Sequence, residues 1–421
     1  MKGKMNHPGL KDIHQNKSDE KQVEYVLDDG FGFLVGKTRL RLSEQAIFLC
    51  RGMNGRTSDE ELRKMFKKRY GVEISEKDFK AFIRNLEKCD LLADKAKGFL
   101  MSKLSVSYGD KQLKIFKKKK IREPSYAGIC YKSIPEELEK DLKMCFASVD
   151  NHKLDTLKRG MGRLRGIVVP HSNIELSGSC AAWAYRAIAK MPMFDLFIIL
   201  APDHSTSLIN PFSVLPKDFS TPLGLVKTDK DFTRMLAKKC NFDIFTGGPI
   251  HIQEHSVEMQ LPFLQYIYRK NWKKPKIVPI LCAHEPMSID LNPDFYVQRD
   301  QFLQVLQKTI NESGKKVVFI ATGDLIHKNK ARSPTARFHN TNKTIIRLLE
   351  KGNAQDFKRG CSWRLKTCGR MSFYSFLRLL EPTRGKVLNY SWTSNSNFIK
   401  HKRDIQYERL VEIGYVSMAF Y

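Results

Sequence analysis

Four apolar runs in this 421-residue chain each end within a few residues of a histidine. Arg165-Gly-Ile-Val-Val-Pro leads to His171, and the run 194–203 leads to His204. The run 276–283 leads to His284, and 315–326 leads to His327. Short stretches rich in Val, Ile, Leu and Phe, bounded by Pro or Gly, read as buried strands. In open α/β sheets ligands collect just beyond the carboxyl ends of the strands. The repetition therefore constrains the fold and the place of a site together: a sheet whose strand ends carry imidazoles.

Between these runs lie amphipathic segments, and the alternation of strands and helices over nearly 300 residues predicts an α/β fold. Its core is a large mixed, mainly parallel sheet flanked by helices. Residues 135–147 read as a helix with Pro135 at its first turn, where a missing N–H costs nothing. After His171 a strand–loop–helix unit is expected, in which the small residues Gly178, Ser179, Ala181 and Ala182 let the helix approach the sheet closely and Ala181, Tyr185 and Ile188 make its buried stripe. A further helix is expected over 300–310.

No run approaches the ~18–20 continuous apolar residues that a membrane span needs. The first residues, Met1-Lys-Gly-Lys-Met-Asn-His-Pro, are polar and have no signal-peptide core. Nine cysteines without a Cys-x-x-Cys pair argue against a disulfide framework and against a ribbon-type zinc site. A cytoplasmic, reducing setting is the economical expectation. The formal charge of +28 gathers in Lys-rich patches such as 117–120 and 400–403. Such a field suits nucleic acid, anionic membrane or acidic peptide, or is simply a lysine-solvated surface. Basic residues are nowhere interleaved with aromatics as in single-strand binders, so nucleic acid is not the expected partner.

The N-terminal part is a separate, smaller module. Residues 1–22 are polar and expected to be disordered. Strand-like pieces at 24–27 and 31–35 flank Asp28-Asp-Gly30, with a third at 37–42, and an apolar helix follows over 43–50. Ser58-Asp-Glu-Glu61 is a capping-box pattern and Ser75-Glu-Lys-Asp78 its carboxylate relative, so two more helices begin there. Leu62, Met65, Phe66 and Tyr70, then Phe79, Phe82, Ile83 and Leu86, follow helical spacing. Three helices and a small sheet make a winged-helix-like α+β module over 23–98, with a basic linker at 99–121. The strings Gly55-Arg-Thr-Ser-Asp-Glu-Glu-Leu62, Tyr70-Gly-Val and Phe82-Ile-Arg-Asn-Leu86 resemble the PqqD-like peptide-recognition modules. The resemblance implies a peptide added as a strand to the small sheet. A winged-helix nucleic-acid binder and a helper domain without ligand are the alternatives.

Residues 122–421 carry a second resemblance. Arg122-Glu-Pro-Ser-Tyr-Ala-Gly-Ile-Cys-Tyr131, Gly166-Ile-Val-Val-Pro-His171, Leu200-Ala-Pro-Asp-His204 and Thr221-Pro-Leu-Gly224 occur in order. Glu254-His-Ser-Val-Glu-Met-Gln-Leu-Pro262, Thr322-Gly-Asp324 with His327, Cys368-Gly-Arg370 and Gly414-Tyr415 follow. Together they are similar to the Memo family, also called protein B of the AmmeMemoRadiSam system. That family's fold is similar to the class III extradiol dioxygenases.

The resemblance implies a metal or redox pocket with His171, His204 and Cys368 as ligands. Imidazole with thiolate suits Fe(II) or Cu, and also Zn. It further implies an active-site Asp324 and His327. His255 and Glu258, three apart, would share a helix face and act as acid–base partners or orient a ligand histidine. His284 matches no motif. A radical-SAM protein is the implied partner, and a metal-dependent oxidoreductase or dioxygenase-like activity the implied function. A non-catalytic peptide-binding scaffold is the alternative. Ser172-Asn173-Ile174 stands where the family usually has Ala-Gly-Tyr, which leaves the ligands intact and alters the pocket floor.

Overall fold

The computed structural model describes residues 22–26, 32–40, 49, 58–88, 116, 118–158, 162–205, 210–271, 274–285, 294–329, 335–361, 365, 367–394 and 411–421. The disordered tail, the linker and the helix expected over 43–50 lie almost wholly outside these residues. Two compact units compose the chain, and the large sheet is built in the one formed by 120–203, 210–284 and 297–421.

In the N-terminal unit strands β1 (Gln22–Val26) and β2 (Gly32–Leu40) pair antiparallel. The second and third expected strand pieces are thus one continuous strand. Helix α1 (Asp59–Tyr70) starts on the capping box read from sequence: the Ser58 hydroxyl accepts from the Glu61 N–H, and the Ser58 N–H donates to the Glu61 carboxylate at 2.9 Å. It stops at Gly71, whose φ of 69° is the left-handed conformation that a Cβ disfavours. Helix α2 (Glu76–Lys88) follows, with Phe79 and Phe82 buried.

The large sheet has eight strands. At its centre β4 (Gly166–Val169), β10 (Val317–Thr322), β5 (Leu196–Pro202) and β9 (Lys276–Cys282) lie side by side and parallel. Antiparallel strands finish both margins. β6 (Phe212–Val214) pairs with β9; on the other side β13 (Val411–Phe420) pairs with β4, β11 (His327–Asn329) and β12 (Gly385–Ser394). A small sheet of β3 (Ile121–Arg122), β7 (Asp218–Thr221) and β8 (Gly224–Val226) stands apart. The mixed, centrally parallel sheet is the one expected from the alternation. The central strands are buried throughout except at the Lys276 and Val317 ends, which is why they read as continuous apolar runs.

Helices cover both faces. Ser417 of β13 meets Cys180 in the helix Ile174–Ala189, whereas Phe420, three residues on and so on the opposite face, stacks edge-on against Phe376 in the helix Arg370–Leu380. The expected stripe Ala181, Tyr185 and Ile188 is buried in Ile174–Ala189. Its small residues lie inside the helix, and Gly178 opens toward a neighbouring helix: a Cβ there would meet Cys145 Sγ of Pro135–Ala147 at 2.7 Å. The helix expected over 300–310 runs from Phe295 to Ser313.

Candidate metal centre

The register of the four parallel strands brings their ends level. Val169 of β4 pairs with Thr322 of β10, Ala321 with Leu200 of β5, and Pro202 with Cys282 of β9. Two residues beyond these ends stand His171, Asp324, His204 and His284. The strand-end pattern in the sequence therefore marks one edge of the sheet, but on β10 the residue at that level is Asp324, and His327 comes three later as the start of β11.

His171 is 2% exposed and held from several sides. Its backbone N–H donates to Asp324 Oδ1 at 3.0 Å; its Nδ1 lies 3.0 Å from the Thr322 hydroxyl; its Nε2 lies 3.3 Å from Cys368 Sγ. Cys368 arrives from just before the helix Arg370–Leu380, and its sulfur accepts the Asp324 N–H at 3.2 Å. Thr367 donates to the Asp324 carbonyl at 2.8 Å, so the Cys368 turn is stitched to the end of β10.

His255 sits in a single helical turn, His255–Glu258, so the helix-face reading of His255 with Glu258 takes a different form. The His255 ring packs edge-on to His171, centroids 5.2 Å apart, and its Nδ1 is 3.2 Å from the buried Glu254 carboxylate. Ser256 donates to the Pro202 carbonyl at 2.9 Å and pins this turn to the end of β5. Ligand nitrogens of His171, His204 and His255 all lie within 4.8 Å of one another, a grouping able to hold a metal ion. Imidazole is a good ligand for Fe, Cu and Zn, and a nitrogen–sulfur gap of 3.3 Å at Cys368 matches two ligands of one ion, roughly 3.5 Å apart at tetrahedral geometry.

Glu258 points the other way. Its carboxylate is fully buried and ion-paired to Arg122, itself 1% exposed. It also accepts from the Ser125 and Tyr126 N–H groups at 3.1 and 2.9 Å and from the Tyr131 hydroxyl at 2.6 Å. The remaining Arg122 donors reach the carbonyls of Glu123, His251, Ile252 and Glu254. Burial, together with the Glu258 carboxylate, pushes the Tyr131 phenol well above its ordinary pKa, so it stays a donor. The two strings 122–131 and 254–262 thus meet in one saturated joint beneath the site.

Asp324 also accepts from Ser172 Oγ at 2.6 Å and lies 3.7 Å from His327 Nε2. Burial alone would raise its pKa; His171, His327 and Ser172 outweigh this and hold it well below the usual carboxylate range. For His327, burial lowers the pKa, and Asp324 with the Cys368 thiol outweighs it, raising the value to about 9. Its side chain is 44% exposed, so water screens part of both effects.

The Memo-like protein family matches residues 122–415. The chain belongs to this family. A MEMO1 family protein of Methanosarcina barkeri is 30% identical over 277 residues, covering 64% of this chain and 92% of the relative. One from Methanocaldococcus jannaschii is 27% identical over 304 residues, 71% of this chain and 98% of the relative. One from Pyrobaculum aerophilum is 26% identical over 308 residues, covering 72% and 99%. The strand-end site falls inside the matched residues, as does the large sheet apart from the last part of β13.

Sequence reasoning named His171, His204, His255, Asp324, His327 and Cys368, and these converge on the strand-end edge. It gave no role to Glu254, Gln260 or Thr322 and read Ser172 only as a change in the pocket floor, yet all four support ligand or acid–base candidates. Glu254 had a signal, since a carboxylate directly before a histidine at a helix start can cap the helix and meet the ring. Among the described residues no helix is long and apolar enough to cross a membrane.

Proposed function

We propose that the Memo-like domain is a transition-metal protein, with an ion held at the strand ends by His171, His204 and His255 and with Cys368 as a further donor. The mutual approach of three imidazole nitrogens within 4.8 Å carries this reading. The buried thiol at His171 Nε2 favours Fe(II) or Cu, and Zn remains compatible. A bound ion of this kind would supply Lewis acidity or electron transfer. Glu254 orients His255 through Nδ1 and leaves Nε2 for the ion. Asp324 and His327 serve as the proton-handling pair: His327 is open to solvent and its Nε2 faces a carboxylate held ionised. Glu258 acts through Arg122 as a support for the turn that bears His255. The overall activity proposed is a metal-dependent oxidoreductase related to the extradiol dioxygenase fold. It would work beside a radical-SAM or peptide-modifying system, with the N-terminal module recognising the peptide.

Elemental analysis of anaerobically purified protein tests the proposal. About one Fe, Cu or Zn per chain is expected, with occupancy lost in His171→Ala and His204→Ala. Wild-type occupancy in both variants would overturn the site.

A further inference from the structure

Behind His171 runs a line of buried polar side chains that touches neither solvent nor the ligand face. The Tyr185 hydroxyl donates to Gln260 Oε1 at 2.8 Å. Gln260 Nε2 lies 3.1 Å from the Pro170 carbonyl, 3.3 Å from the Ser256 carbonyl and 3.0 Å from Thr322 Oγ1. Thr322 Oγ1 is 3.0 Å from His171 Nδ1. Tyr185 and Thr322 are completely buried and Gln260 is 1% exposed.

The proton inventory of this line has one solution. Two carbonyl oxygens face one end of the Gln260 amide, so that end is the NH2 group, and the Tyr185 hydroxyl must donate to the other. The contact from Gln260 to Thr322 is then an N–H donated to the hydroxyl oxygen. The Thr322 proton is left with His171 Nδ1 as its acceptor, and a buried hydroxyl without an acceptor is costly. Nδ1 is therefore unprotonated in the neutral ring, and the ring proton sits on Nε2, facing Cys368 Sγ.

We infer that Tyr185, Gln260 and Thr322 are positioning residues that fix the ring orientation of His171 and hold the metal-free ring as its Nε2–H tautomer, with Nδ1 engaged by Thr322. Their effect on the ring is independent of any ion; their effect on ion binding rests on the function proposed above. For Nε2 to ligate, the ring proton would have to move to Nδ1, so the line holds the metal-free ring in the form that does not ligate through Nε2. Thr322 would then accept from both Gln260 and the ring, and its own proton would lose the Nδ1 acceptor, a cost that ligation has to meet. No member of the line touches the reacting side of the site.

The test reads the tautomer directly in metal-free full-length protein, by nitrogen-15 NMR of labelled histidine, with the His171 signal assigned from its loss in His171→Gln. The wild type is expected to show the Nε2–H pattern. Thr322→Val should shift it toward Nδ1–H or a mixture, and Thr322→Ser should restore it. A wild-type Nδ1–H pattern, or unchanged ring-nitrogen shifts in folded Thr322→Val, would overturn the inference. Should Thr322→Val not fold, Tyr185→Phe removes only the far hydroxyl, and unchanged shifts there overturn the chain equally. If wild-type protein takes up no Co(II), Fe(II), Cu or Zn, the proposed function fails while the tautomer result stands by itself.

Discussion

Gly323 and Gly369 meet backbone to backbone: a Cβ on Gly323 would lie 2.5 Å from Gly369 Cα, and one on Gly369 would lie 2.9 Å from Gly323 Cα. The approach explains why Thr322-Gly-Asp324 and Cys368-Gly-Arg370 are both glycine-centred, although they lie far apart in the chain. Only without side chains can the Cys368 turn press onto the end of β10 closely enough for its sulfur to take the Asp324 N–H. Gly323→Ala meets backbone, which cannot swing aside. Its expected effect is a loss of about 1–3 kcal/mol of stability and a Cys368 turn lifted from His171. Denaturant unfolding measures the first. Faster alkylation of the Cys368 peptide, read by mass spectrometry, measures the second, and alkylation at the wild-type rate would contradict it.

The Arg122–Glu258 pair is the joint between the strings 122–131 and 254–262. Both groups are buried and each has several further hydrogen bonds, so removing one leaves the other charged and uncompensated. Arg122→Met and Glu258→Leu should each destabilise the Memo-like domain by on the order of 3–5 kcal/mol. Denaturant unfolding of the two single variants and of the double variant checks this. The double variant should lose less than the sum of the singles, because no lone charge remains in it.

Acid should weaken the same region through His251. This ring is fully buried against Ser213, and burial drives its pKa down from 6.5 to about 3 despite the Ser213 carbonyl. The unfolded chain therefore binds a proton that the folded chain refuses between these values. Stability contributed by neutral His251 is complete above pH 6.5 and declines as pH falls toward 3, with a slope on the order of 1 kcal/mol per pH unit. His251→Gln keeps a neutral donor and should flatten unfolding free energy over that window relative to wild type. Parallel profiles would show that the ring accepts its proton in the fold.

How far these features could be read in advance depended on their range. The central strands were legible because burial on both faces leaves an unbroken apolar run, and their shared carboxyl edge follows from parallel pairing. The neighbour of Gly178 was not, because a small residue announces a close approach without saying to what: the helix Pro135–Ala147 fills the space where the sheet was expected. The three-residue spacing pairs Glu258 with His255, and spacing cannot tell that Arg122, 136 residues earlier, claims the carboxylate. His171, His204 and Cys368 were reachable through motifs; Thr322 and Gln260 act through a fold that had to be seen.

Glu254 offers the most discriminating test of the ion site, because it touches His255 without belonging to the nitrogen group itself. Its carboxylate accepts the Ser256 N–H at 2.9 Å, capping the short turn, and stands 3.2 Å from His255 Nδ1. Glu254→Gln keeps an oxygen for the cap and removes the charge that holds the ring and raises its basicity. Metal affinity should fall by about 10–100-fold while the fold persists. Glu254→Ala should add to this the loss of a cap, about 1 kcal/mol of stability. Competition titration against a chelator reads the first effect and denaturant unfolding the second. If Glu254→Gln bound metal as tightly as wild type while Cys368→Ser did not, His255 would not be a ligand, and the ion would be held by His171, His204 and Cys368.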